Sequence, residues 1–80
     1  MEQYNNTYAQ QVYNILVPLL GDPMARSVIK FQSYKLGKKE ELLNDKDLLN
    51  LASDIKMGLV PFLGSEAAGI ISSKIARLGN

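Results

Sequence analysis

The side chains that carry most enzymatic chemistry are missing from this chain. Its 80 residues include no His, no Cys and no Trp, which removes imidazole acid–base catalysis, thiol nucleophiles, disulfides, the usual zinc ligand sets and haem-bound His. Eight acids, nine Lys and Arg and four Tyr remain. Asp45-Lys46-Asp47 lacks the glycine and the closing glutamate of a calcium loop, and Gly64-Ser65-Glu66 reads as a helix cap with no nucleophile elbow around it. No glycine-rich phosphate loop is present, and no pair of carboxylates or lysines has a spacing that demands chemistry. The chain is therefore expected to be non-enzymatic, with no catalytic residue, no cofactor and no metal.

Binding is the chemistry left to consider. Arg26, Lys30, Tyr34 and Lys38 recur at helical spacing, an arrangement suited to tracking phosphates with an aromatic ring available for stacking. Basic residues crowd positions 22 to 39 and acidic ones positions 40 to 54. Helix dipoles account for the same placement, with bases late in one helix and acids early in the next. That account is favoured, because the positions 43 residues on from Arg26 and Lys30 are Gly69 and Ser73, so the second half lacks the stripe, and because the two clusters neutralise each other within a formal net charge of +1.

Val17-Pro18-Leu19-Leu20-Gly21-Asp22-Pro23-Met24-Ala25-Arg26 and Val60-Pro61-Phe62-Leu63-Gly64-Ser65-Glu66-Ala67-Ala68 resemble the hairpin of helix-hairpin-helix DNA-binding domains. That family's motif runs Pro-Gly-apolar-Gly, then three residues and Ala, and its members often carry two copies. The resemblance implies that backbone N–H groups from Gly21 to Met24 and from Gly64 to Ala67 hold DNA phosphates at helix starts. The family's first hairpin glycine is replaced by Leu19 in one copy and by Phe62 in the other. On this alternative the nucleic-acid residues are Gly21, Arg26, Lys30, Tyr34, Lys38 and Gly64.

The elements that must position these residues are helical. The periodicity predicts an all-α domain of four helices, a single unit over residues 1–80. Tyr4, Tyr8, Val12, Ile15 and Leu19 form the stripe of a first helix that Gly21 stops; Asp22 as cap and Pro23 behind it start a second, whose apolar face includes Met24, Ala25, Val28, Ile29 and Phe31. A solvated connection over 37–44, with Leu42 and Leu43 tucked onto the core, leads to a third helix. Asn44 and Asp47 resemble a capping box there, and Leu48, Leu51, Ala52, Ile55, Leu59 and Phe62 are its expected buried stripe. Gly64 stops it and Ser65 caps the last helix. Leu16-Val17-Pro18-Leu19-Leu20-Gly21 returns as Leu59-Val60-Pro61-Phe62-Leu63-Gly64, an offset of 43, so the domain is expected to be two similar helix-turn-helix hairpins, about 4–36 and 45–78. Pro18 and Pro61 are expected to loosen or kink their helices near Val17 and Val60. The expected core is Val12, Ile15, Leu16, Leu20, Val28, Ile29, Leu48, Leu51, Ile55, Leu59, Ile71 and Ile75.

A domain this small buries only about 60% of the surface its unfolded chain exposes, and self-association is one way to support it. The first helix carries no charge from Gln3 to Gly21 and sets Tyr4, Tyr8 and Tyr13 among amides, a composition favoured at protein interfaces. Gly69 and Ser73 sit in a small-residue surface on the last helix, where another helix could approach closely. The expected function is a protein–protein interaction or self-association module, with a protein partner or a second copy bound through Tyr4, Tyr8, Tyr13, Gly69 and Ser73. The first basic residue is Arg26 and the uncharged run is full of amides, so neither a signal peptide nor a membrane span is expected and the cytoplasm is the default location.

Overall fold

The computed structural model describes residues 4–79. Met1, Glu2, Gln3, where the uncharged run and the single-domain assignment begin, and Asn80 lie outside the described residues. The chain is all-α: α1 covers Thr7–Leu20, α2 Asp22–Lys35 and α3 Leu48–Ala76, and no strand occurs among the described residues.

Each boundary has a local cause. Asn6 caps α1 by accepting from the Ala9 N–H at 3.0 Å, so Tyr4 lies ahead of the helix. At the far end Gly21 adopts φ 82, ψ 166, a geometry closed to side chains with a Cβ, and its N–H still reaches the Val17 carbonyl at 2.9 Å. Gly21 is also the cap of α2, with Asp22 as the first helical residue and Pro23 behind it. The expected Asp22 cap is thus displaced by one residue, because its carboxylate is engaged elsewhere. Gly37, at φ 79, turns the chain off α2, with the Lys38 N–H bonded to the Ser33 carbonyl at 3.1 Å. A capping box then forms: Asn44 accepts from the Asp47 N–H while the Asp47 carboxylate accepts from the Asn44 N–H, and the 3-10 turn Asp45–Asp47 runs straight into α3.

The connection between α2 and α3 is mostly exposed, as its composition suggests, but it is tied to α1 at one point. Asn6 Nδ2 donates to the carbonyls of Glu41 at 2.9 Å and Leu43 at 2.7 Å, so one side chain both starts α1 and pins the connection against it. Leu43 is buried but Leu42 is exposed, a correction: the 3-10 turn Glu40–Leu42 points adjacent leucines in different directions.

α3 is 29 residues long and interrupted, since Gly64 leaves the helical region at φ 84, ψ 161. Neither proline breaks its helix: α1 runs through Pro18 to Leu20. Helical dihedrals continue through Val60 and Pro61 and fail only at Gly64. Both prolines are exposed near a helix end, where the single lost hydrogen bond falls on a solvent-facing turn. Beyond Gly64 the chain folds back on itself: the Ser72 hydroxyl donates to the Ala52 carbonyl at 3.0 Å, whereas residues 20 apart on a straight helix would be about 30 Å apart. Asp45–Ala76 is long and apolar enough to cross a membrane by length and composition, with mean hydropathy 1.2 in its most apolar stretch. As folded, neither arm, 48–63 or 65–76, reaches the roughly 20 residues that a single span requires.

The core is continuous across all three helices: Val12 and Leu16 from α1, Ala25 and Ile29 from α2, and Leu48, Leu51, Ile55, Leu59, Ile71 and Ile75 from α3. Ile15, Leu20 and Val28, expected within it, are half-buried at its edge. Leu19, Met24, Phe31 and Phe62 depart further, because all four are exposed. On α2 the buried register runs Ala25, Ile29, Gln32, Ser33. Phe31 falls off that register, and two polar side chains occupy the core-facing positions in its place.

Candidate interaction surfaces

Three surfaces carry the sequence candidates, and a fourth emerges only from the packing. The first is the tyrosine cluster of α1. The Tyr13 hydroxyl donates to Asp22 Oδ1, and Arg26 Nε donates to the same oxygen at 3.0 Å. The Arg26 guanidinium lies 5.4 Å from the Tyr13 ring centroid and 5.9 Å from that of Tyr4, and the two rings pack tilted with centroids 5.8 Å apart. The Tyr4 N–H donates to Gln10 Oε1 at 2.8 Å, and Tyr8 packs half-buried against the core. Electrostatics follow from these contacts. The Tyr13 hydroxyl, and after it Arg26, hold the Asp22 carboxyl below the usual carboxylate range. The same hydrogen bond pushes the Tyr13 phenol up, and burial pushes Tyr4 up. This cluster fastens the start of α2 to α1 and uses the tyrosines within the chain.

The basic stripe is the second surface. Arg26 belongs to the cluster just described, and Lys38 Nζ pairs with Asp47 Oδ2 at 2.6 Å. Burial raises the Asp47 carboxyl, but the Lys38 ammonium and the Asn44 N–H outweigh it and hold Asp47 low. Lys30 and Tyr34 stand exposed between these two ion pairs. At the corners Gly21 and Gly64 are exposed, with nothing within 4 Å of where a Cβ would be. The Asp22 carboxylate already occupies the first turn of α2, with its negative charge where a phosphate would have to approach.

On the last arm of α3, Gly69 is half-buried and Ser73 exposed. A Cβ on Gly69 would meet only the far end of the Lys56 side chain, at 3.9 Å, so no helix of this chain presses on it.

The fourth surface is a cleft of about 300 Å³ between α2 and the first arm of α3. Leu20, Met24, Val28 and Phe31 line one side and Ile55, Leu59 and Phe62 the other, with Gln32 and Gly58 facing each other between them. Phe31 is 61% exposed and Phe62 70%. Gln32 is only 6% exposed, and its Oε1 is enclosed with no hydrogen-bond partner. Sequence reasoning placed Phe31 on the apolar face of the second helix and Phe62 in the buried stripe of the third, and missed this site. The available signal was register: Ala25, Ile29, Gln32 and Leu36 follow helical spacing, and Met24, Val28 and Phe31 form a second, adjacent stripe.

Compared with protein-family models, with curated proteins and with solved structures, the chain matches none. The functional reading therefore rests on the molecule itself.

Proposed function

We propose that this is a non-enzymatic interaction module that docks a helix of a partner protein on the apolar face between α2 and α3. The observation that carries the reading is the cleft itself: two exposed phenylalanines stand at the rims of an apolar groove that the chain's own core leaves open. Solvent-facing apolar surface gathered in one place marks a binding site, whereas the same residues scattered singly would mark nothing. A groove between two helices suits the apolar stripe of a third. This moves the interaction surface from the N-terminal tyrosines, of which Tyr4 and Tyr13 are engaged by the Asp22 and Arg26 contacts, to α2 and α3.

We further infer two similar hairpins behind this face. Ala9 and Ala52, Val12 and Ile55, Leu16 and Leu59, and Ala25 and Ala68 are all buried, and Gly21 and Gly64 share dihedrals within a few degrees. The pairs preserve the offset of 43 seen in the sequence. On this reading the docking face is the seam where the second helix of one hairpin meets the first helix of the other.

A selection from a library of displayed helical peptides tests the docking reading. Enriched peptides should lose at least about ten-fold in affinity, about 1.4 kcal/mol, on a F31A/F62A double variant whose circular dichroism matches the parent. Peptides that ignore both substitutions, or no enrichment at all, would overturn it. Sedimentation of the free chain shows whether a second copy takes the partner's place. Salt-sensitive amide shifts centred on Gly21 and Gly64 on adding short duplex DNA would turn the assignment toward phosphate binding.

A further inference from the structure

We propose that the partner helix is acidic along the flank that lies against α2, its carboxylates meeting Lys30 and Lys35 while its apolar stripe fills the cleft. The inference rests on the docking reading above and names the charge of the partner.

The two walls of the cleft differ in charge. From Pro23 to Lys39 the chain holds five basic residues and no acid. Arg26 is committed to Asp22 and Lys38 to Asp47. Lys30 and Lys35 are exposed, and neither forms an ion pair among the described residues. Lys35 falls on the helical stripe of Met24, Val28 and Phe31 that lines the cleft, and its Nζ lies 5.8 Å from the Phe31 ring centroid. Lys30 borders a shallow hollow on the outer side of α2 that shares Ser27 and Phe31 with the cleft. The α3 wall brings no basic match. Lys56 reaches toward the other arm, since its Cε is the atom 3.9 Å from a Cβ at Gly69. Asp54 stands one turn before Gly58 and repels acids from that side.

The fold itself has little use for these two lysines. A base in the last turn, such as Lys35, suits the negative end of α2, but the dipole effect fades within a turn and Lys30 lies before that turn. The residues four away from Lys30 are Arg26 and Tyr34, so no helical neighbour neutralises it, and Arg26 with Lys30 is a like-charge pair that weakens a helix. The shape of the surface then selects the acidic group. Phe31 and Phe62 stand at the rims and Val28, Ile55 and Leu59 lie between them, so a flat bilayer would rest on the rims and leave the floor uncovered. The apolar stripe of a helix enters such a groove. Lys30 and Lys35 are about 7.5 Å apart along the axis of α2, and carboxylates about one turn apart on a helix alongside face both.

The helix selection above gives the first reading, because enriched peptides should carry Asp or Glu beside the apolar stripe. One enriched peptide is then remade with its flank entirely Glu, Gln or Lys, three comparable helix formers, so that charge alone varies. At low salt the Glu form should bind the full chain about three-fold tighter than the Gln form and about ten-fold tighter than the Lys form, the worth of two exposed ion pairs. Added salt should narrow the gap. K30Q/K35Q, with circular dichroism matching the parent, should level the series, and K30E/K35E should invert it. Methyl shifts at Val28, Ile55 and Leu59 should place the bound peptide in the cleft. A Gln form that binds as well as the Glu form, or an order unchanged in K30Q/K35Q, would overturn the acidic flank and leave docking intact. A preference for Glu that survives F31A/F62A without methyl shifts would mean that the lysines attract anions apart from the cleft, which sinks docking and this proposal with it. Phosphatidylserine vesicles or single-stranded DNA that displace the Glu form would give the lysines to phosphate and overturn the proposal.

Discussion

α2 meets α1 and α3 in different ways. Toward α1 its first turn is closed by polar groups that complete one another: Tyr13, Asp22 and Arg26 share a single carboxylate oxygen, and Tyr4 stacks on the outside. Toward α3 the core beneath is equally tight, with Ile29 and Ile55 fully buried, yet the rim above stays open and the Gln32 oxygen enclosed below it has no partner. The residues with interface-like composition are thus used within the chain, and the residues with core-like composition stand at the surface. Composition shows what a side chain is able to do; register decides whether the chain or a partner uses it.

The largest effect that would break this contrast is in stability. Leu16→Ala removes a fully buried side chain and should cost about 2–5 kcal/mol, a large share of the stability of a domain this size. Phe62→Ala, at a residue 70% exposed, should cost less than about 1 kcal/mol. Urea unfolding followed by circular dichroism measures both. A Phe62 variant as damaged as the Leu16 variant would mean that the α2–α3 rim is closed in solution.

Next in size are the two corners. Gly21 and Gly64 both hold positive φ with extended ψ, and neither has any atom within 4 Å of a Cβ position. Gly21→Ala and Gly64→Ala should therefore each cost about 1–3 kcal/mol from backbone strain alone. Similar losses would support two alike hairpins. A much smaller loss at Gly64 would mean that the break in α3 anneals into helix once alanine replaces the glycine, and the pairing of the two corners would fail.

Much of the helical framework is legible in the sequence. Gly21, Gly37 and Gly64 mark turns because only glycine takes their dihedrals freely, and Asn44 with Asp47 announces a cap by local spacing. Leu16, Ile29 and Ile55 follow a helical period strong enough to be placed in the core. The site was not legible, for physical reasons that differ from residue to residue. Phe31 lies one step off the buried register, where hydrophobicity alone favours the wrong side, whereas Phe62 keeps helical spacing from Leu59 and stands exposed in the last turn before Gly64. Gln32 is polar, so periodicity passes over it, although it occupies a core-facing position. Asn6 looks like any helix cap, and its bonds to the Glu41 and Leu43 carbonyls span more than 30 positions of chain. The Tyr13 to Asp22 bond forms only because the turn at Gly21 brings α2 back against α1.

A smaller stability change sharpens the comparison from the open side. Gln32→Met should stabilise the free chain by about 1 kcal/mol, since it removes a buried unpaired acceptor without emptying the space. A rise in the urea midpoint at constant slope checks this. A fall would mean that the amide already has a partner inside the fold, and the open side would then be as complete as the closed one.

The smallest effect is a dependence on pH, and it belongs to the closed side. Asp22 and Asp47 are both held below the ordinary carboxylate value of 3.8 in the folded chain. A group whose folded pKa is depressed contributes stability that is fully present above its unfolded value and fades as pH falls through the folded one. The midpoint of thermal unfolding should accordingly be flat with respect to these two groups at neutral pH and fall below about pH 4. Tyr13 adds the opposite slope at the other extreme. Its phenol is raised by the hydrogen bond to Asp22, so its contribution holds below the unfolded value near 10.0 and is lost as pH climbs through the folded value. Tyr13→Phe removes the hydrogen bond that joins the two titrations, so it should lessen both the acid and the alkaline loss while Lys38 and Asp47 keep their share of the acid one. Asp47→Asn should remove that share and leave the alkaline limb untouched. An alkaline limb that survives Tyr13→Phe unchanged would mean that the tyrosine cluster does not close α1 onto α2 in solution, and the contrast between the two faces of α2 would lose its polar half.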